Sequence, residues 1–339
     1  MLSTWFWQGG LQTIARKLAN TMLKADRLAP VSTSSKCASA SIFDRKVKEL
    51  QRNYAGKQPD SSVYDYVKEE VGWRVADRVF DIKRQFDTIL DLGCGKGYVF
   101  KHFDKDMVRH VVACELSDAL LAATEPPEGV QLSRRHEDEE TLQLDENSVD
   151  LVTSSLSLHW VNDLPGCFGR VHRCLRPDGA FVGAVLGGDT LYQLRCALQL
   201  ASLEREGGVG LHVSPFVKAQ DVGGLLTRAG FTMLTIDVDS VTVGYPSMFE
   251  LMWDLQGMAE NNAAYNRKLR LNRDTMMAAA AVYQEMYGSS PEKDDGSVPA
   301  TFEVLHFIAW KPGAGQPQPL DRGSGTVSLR DLGSVVSGS

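Results

Sequence analysis

Thr88 to Tyr98 read TILDLGCGKGY, an apolar run that meets Asp91 and then three glycines at every second position, Gly93, Gly95 and Gly97. A strand closed by such a turn predicts an open α/β sheet whose ligand lies at the carboxyl ends of the strands. A dinucleotide fingerprint needs G-x-G-x-x-G, and its third glycine would fall at Tyr98. The turn therefore argues against a nicotinamide dinucleotide. Asp91, on the strand before the turn, suits a cationic or hydroxylated ligand better than a phosphate. Lys96 lacks the spacing of a phosphate-cradling lysine and reads as solvent-facing.

Working outward, apolar runs alternate with helical patterns. Runs end at Asp91, near Glu115 (HVVACE), at GVQLS, at VDLVTSS and at GAFVGAV. Helices are expected at about 97–105, 117–124 and 163–175. Run, helix, run at this spacing predicts α/β, a parallel sheet with right-handed crossovers. After residue 186 the pattern changes. A helix-prone segment (189–205) precedes KAQDVGGLLTRAGF, a strand at TMLTIDV, helices at about 247–260 and 266–287, and a last strand at TFEVLHFIAWK.

Acids follow the strands in an order that has chemical meaning. Glu115 ends the second run, where a carboxylate accepts both hydroxyls of a ribose. His136-Glu137-Asp138-Glu139 follows the third, where an acid accepts from an adenine amino group. With SVDLVTSSLSLHWVNDLP and LRPDGAFVGA behind them, these features resemble the class I S-adenosylmethionine-dependent methyltransferases over about residues 87–185. The resemblance implies a Rossmann-like, seven-stranded, mostly parallel sheet with a helical lid inserted at about 189–290. It implies S-adenosylmethionine as cofactor, bound by Asp91, Gly93, Gly95, Gly97, Glu115, Asp138 and Glu139. One departure is Leu142-Gln143-Leu144, where such proteins commonly carry a Leu-Pro-aromatic turn. It leaves the adenine contact open between Asp138 and Glu139.

The likeness reaches beyond the cofactor core. IFDRKVKELQRNYA, YDYVKEEVGWRVADRV, FELMWDLQGMAENNAAYNR and DGSVPATFEVLHFIAWK, spread over about residues 41–312, are similar to a family of arginine hydroxylases that serve mitochondrial complex I assembly. That family implies a peripheral-arm complex I subunit as client, other complex I assembly factors as partners, and a place in the matrix against the inner membrane. TLYQLR and the last strand are shared with the malonyl-carrier-protein methyltransferases of biotin synthesis. Methyl transfer to a protein or carboxylate substrate, and a non-catalytic assembly chaperone, stay open beside hydroxylation.

Composition narrows the classes. A chain of 339 residues with 43% apolar content has room for one large or two ordinary domains. A formal charge of -7 opposes a general nucleic-acid binder. No window reaches the roughly 18 apolar residues of a membrane span. The six cysteines form no C-x-x-C pair and read as reduced core thiols. Residues 1–40 are Ser-rich and carry Arg16, Lys17, Lys24, Arg27 and Lys36 against Asp26 alone, the pattern of a mitochondrial transit peptide. Residues 313–339 are rich in Gly, Pro and Ser and read as a disordered tail.

Catalytic candidates lie after the fourth and fifth strands. His159 is an acid, base or orienting group for the acceptor, although a loop histidine beside Trp160 also reads as packing. Asp189, Tyr192 and Arg195 follow the fifth strand, with Tyr192 and Arg195 on one helix face. Asp189 suits a guanidinium substrate, and Arg195 suits a carboxylate. His136-Glu137-Asp138 has the H-x-D spacing of an iron site, but no motif places a further histidine, so no metal is assigned.

Overall fold

The computed structural model describes residues 41–289, 296–316 and 322–325. The expected transit peptide and most of the expected tail lie outside them. Seven strands, β1 (Phe86–Leu92), β2 (Val108–Glu115), β3 (Gln131–His136), β4 (Val149–Ser155), β5 (Leu175–Leu186), β6 (Thr232–Tyr245) and β7 (Val298–Trp310), form one sheet. Their order is β3-β2-β1-β4-β5-β7-β6. β7 runs antiparallel to both of its neighbours, and the pairs from β3 to β5 are parallel. The carboxyl ends of β1 to β6 therefore share one side.

Alternation along each strand sorts the core into two faces. Ile89, Val111, Leu151 and Val182 join one apolar cluster, and their neighbours Leu90, Val112, Val152 and Phe181 join another. Helix α1 (Arg45–Gly56) precedes α2 (Tyr66–Phe80), which repeats Val67, Val71, Val75 and Val79 at four-residue spacing and buries that stripe in the first cluster. Gly72 is required there. A Cβ on it would stand 2.5 Å from the Tyr98 carbonyl oxygen, so the absence of one lets α2 cross directly behind the glycine turn. The short α3 (Asp118–Ala122) follows β2, and α4 (Leu164–Cys174) carries Cys167, Phe168 and Val171 into the second cluster.

Beyond β5, α5 (Tyr192–Glu206), α7 (Met248–Gly257) and α8 (Arg273–Tyr287) bury Leu198, Leu251 and Tyr283 in the first cluster. Between α5 and α7, α6 (Ala219–Arg228) buries Val222 and Leu226 in the second. Among the described residues no helix is long and apolar enough to cross a membrane. Cys94, Cys114, Cys167 and Cys174 are free, buried thiols. Two expected elements differ. The helix at 97–105 is reduced to a turn at Phe100–His102, because Phe103 is extended and Asp104 accepts from the Asp106 and Met107 amides, turning the chain straight into β2. The helix expected from 266 starts at Arg273, where Asn272 accepts from the Asp274 amide.

Candidate functional site

The glycine turn adopts the backbone its sequence requires. Gly93, Gly95 and Gly97 have φ of 69°, 58° and 91°, a region that a Cβ disfavours. Gly93 and Cys94 donate to the Cys114 carbonyl at 2.8 and 3.0 Å, which closes the end of β1 onto β2. Asp91 is fully buried beneath the turn. Thr153 Oγ1 donates to its Oδ1 at 2.8 Å, and Oδ2 has no hydrogen-bond partner. Burial raises its carboxyl to about 7 against the pull of Thr153, with the Glu115 charge adding to the rise.

The acids at the ends of β2 and β3 converge, as their positions on a parallel sheet require. Their partners come from α1. Arg52 Nη1 lies 2.9 Å from Glu115 Oε1 and 3.1 Å from Glu139 Oε1, and its Nη2 donates to Ser157 Oγ at 2.8 Å. Glu115 also accepts from the Gly95 amide at 2.9 Å and the Ser117 amide at 3.1 Å. Arg45 donates to Asp138 at 2.7 and 3.2 Å and pairs with Glu139, which accepts from Ser157 Oγ as well. Burial alone would raise the Glu139 carboxyl, but Arg45 and Arg52 outweigh it and hold it far below the usual carboxylate range. His136 turns away from Asp138, its Nε2 2.8 Å from the Leu116 carbonyl and its Nδ1 3.3 Å from Asp118.

His159 occupies a second buried cluster. Its Nε2 is 3.1 Å from Glu260 Oε2, the same oxygen that accepts from Trp160 Nε1 at 2.9 Å. The ring packs against Trp160 and Phe216, with centroids 5.3 and 5.8 Å away. Nδ1 has no hydrogen-bond partner. Burial lowers the imidazole despite the Glu260 bond, so the ring is neutral near pH 7, donates from Nε2 and keeps its lone pair on Nδ1. Glu260, held down to about 2 against burial by His159, Lys68 and Lys48, is brought inward by a left-handed residue, Ala259, at φ 59°. Lys48 clamps this bend by donating to the Ala259 and Asn261 carbonyls at 2.8 and 3.2 Å, and lies 3.3 Å over the Trp160 ring.

The other candidates stand apart from that cluster. Asp189 is exposed, and its amide donates to Glu303 at 2.9 Å. Tyr192 is exposed and meets Tyr287 edge-on at 5.9 Å between centroids. Arg195 donates to the Gly188 and Thr190 carbonyls at 3.1 and 3.2 Å and so closes its own loop. Lys96 is not solvent-facing as expected; it is half-buried against Asp65 and Ser61. Arg45, Lys48, Arg52, Ser157 and Glu260 were not singled out from the sequence. The signal that would have found three of them is spacing, since residues 45, 48 and 52 share one helix face.

A family model described as a methyltransferase domain matches residues 90–183, from within β1 to within β5. The mouse (Mus musculus) protein named arginine-hydroxylase NDUFAF5, mitochondrial, is 52% identical over 306 residues, covering 89% of this chain and 87% of its own length. This chain belongs to the arginine-hydroxylase NDUFAF5 family. The human (Homo sapiens) member is 52% identical over 297 residues, 87% of this chain and 84% of its own. A malonyl-[acyl-carrier protein] O-methyltransferase of Methylovorus sp. is 31% identical over 258 residues, 73% of this chain and 83% of its own. The family's match, at 89% of the chain, takes in far more than the methyltransferase domain.

Proposed function

We propose that this chain is a mitochondrial protein-arginine hydroxylase that acts in complex I assembly on a peripheral-arm subunit. The observation that carries the reading is the reach of the match, 52% identity over 89% of the chain. Identity of that extent includes the helices after β5 as well as the strand ends, so substrate selection goes with the fold. The work is placed in the matrix, against the inner membrane and beside other assembly factors. Residues 1–40 supply the address through their basic, acid-poor composition.

The methyltransferase-domain match supports S-adenosylmethionine as the cofactor, and the glycine turn and the acids are the residue types it needs. Bound, that group would supply a sulfonium. Its place is otherwise taken. Arg52 lies on both Glu115 and Glu139, and both Glu115 oxygens are bonded, Oε1 to Arg52 and the Ser117 amide and Oε2 to the Gly95 amide. In this closed arrangement Arg52 stands on the acid that the cofactor's ribose would use, and insertion of an oxygen atom into an arginine side chain takes an oxidant from outside the chain, which none of these side chains supplies. The His159 Nδ1 lone pair, fixed by the bond from Nε2 to Glu260, can receive a proton. Exposed Asp189 is the acid that would receive a client guanidinium, a charge-assisted pairing.

Intact mass of the client subunit, from cells with and without this protein, tests the proposal. A gain of one oxygen atom is the expected result. A gain of one methyl group would instead identify a methyltransferase, and an unchanged mass would identify a chaperone without chemistry.

A further inference from the structure

We propose that α1 is a latch, and that Arg52 is a built-in competitor that must leave the acid pocket before S-adenosylmethionine can enter. Three features of the pocket carry this, on the cofactor reading given above. The first is position. Arg52 is 6% exposed, and its guanidinium touches Glu115, Glu139 and Ser157 together. Glu115 is the acid that a ribose would need. The second is the bonding of Glu115, whose Oε1 already accepts from Arg52 and the Ser117 amide and whose Oε2 accepts from the Gly95 amide, so both oxygens that a ribose would use already hold donors. The third is charge. Asp138 and Glu139 are paired with Arg45, so each carboxylate placed to receive the adenosyl group already holds a cation from α1.

α1 and the residues just before it are fastened at several points. Asp44 caps its first turn by accepting from the Val47 amide at 3.1 Å. Asn162 accepts from the Ile42 and Phe43 amides at 2.9 and 2.7 Å, and Gln51 donates to the Asn262 carbonyl at 3.2 Å. Lys48 fastens the same bend that presents Glu260 to His159. Release of Arg52 therefore loosens the wall of the His159 cluster too. One movement of α1 opens the acid pocket and loosens the bend that holds Glu260 against His159.

A ligand's apparent affinity falls by the fraction of protein in the competent state. Removing Arg52 takes three of α1's bonds to the pocket, frees Glu115 for the ligand and leaves Glu139 to Arg45. The full chain and its Arg52→Ala variant are titrated with S-adenosylmethionine in a calorimeter. Hydrogen exchange along Arg45–Gly56 is followed in the parent with and without the ligand. The latch requires the variant to bind about tenfold tighter or more, and requires the ligand to speed exchange in α1. Equal or weaker binding by the variant overturns the latch and leaves the cofactor reading standing. Binding by neither chain removes both. If Arg52→Ala does not fold, Arg52→Gln takes its place, and slower exchange in the liganded parent is sufficient to overturn the proposal.

Discussion

The pocket under α1 and the loop after β5 both lie at the carboxyl ends of the strands, and both display charged side chains, but they are built on opposite terms. In the pocket every acid contributed by the ends of β2 and β3 is matched by a guanidinium from α1. In the loop Asp189 and Tyr192 are exposed, and Arg195 holds the carbonyls of its own turn. The pocket is an internal unit whose charge is settled before any ligand arrives. The loop keeps an acid in solvent for whatever docks. The consequences of mutation should divide along the same line.

The largest effect belongs to Glu139. Glu139→Ala removes the carboxylate that Arg45 and Arg52 share and leaves them only Asp138 and Glu115 as acid partners, so the cost should be about 3 kcal/mol, the low end for breaking a buried pair. The urea midpoint should fall accordingly. A loss under about 1 kcal/mol would show that water already reaches the two guanidinia.

Asp91 sharpens the comparison because no base answers it. Its folded-state carboxyl is raised to about 7, above an unfolded value of about 3.9. The folded state therefore prefers the protonated acid, and that preference is lost as pH rises through about 7. Asp91→Asn keeps a partner for Thr153 and removes the buried charge. The variant should melt higher than the parent at pH 8, by about 1–3 kcal/mol in stability, and match it near pH 4. A gain of the same size at both pH values would contradict a titrating Asp91.

The loop gives the smallest effects. Arg195→Ala releases two carbonyls at a half-exposed position and should cost about 1 kcal/mol. Asp189→Asn should stay within about 0.5 kcal/mol. Neither should alter ligand binding to the pocket by calorimetry, while Asp189→Asn should lower the oxygen gained by the client. Full hydroxylation by that variant would remove Asp189 from substrate recognition.

Much of this division was legible before the structure, and the rest was hidden for definite reasons. β1, β2, β4 and β5 announced themselves as short apolar runs because both of their faces are covered. The turn after β1 was legible because only glycine tolerates its dihedrals. The crossover after it was not, since the 97–105 pattern is overridden where Asp104 turns the chain into β2. The acids at Glu115, Asp138 and Glu139 were legible from their places after the strands. Their partners were not. Arg45, Lys48 and Arg52 share one face of α1, and such a basic face ordinarily reads as solvated. Its burial depends on Glu115 and Glu139, which lie 63 and 87 residues away from Arg52. Glu260 carries no motif, and only the left-handed bend at Ala259 brings it to His159. Asp189 and Arg195 were read as anchors for different substrates, a guanidinium and a carboxylate, and the structure leaves the acid exposed while the base closes its own loop.

α1 supplies the counter-charge of the acid pocket. A double-mutant cycle on Arg52→Ala and Glu139→Ala, read by urea unfolding of the full chain, tests it most directly. The two sites share a bond of 3.1 Å, so the account predicts that the double variant is much less damaged than the sum of the singles, with a coupling of about 1.5–3 kcal/mol. Additivity within about 0.5 kcal/mol would contradict it.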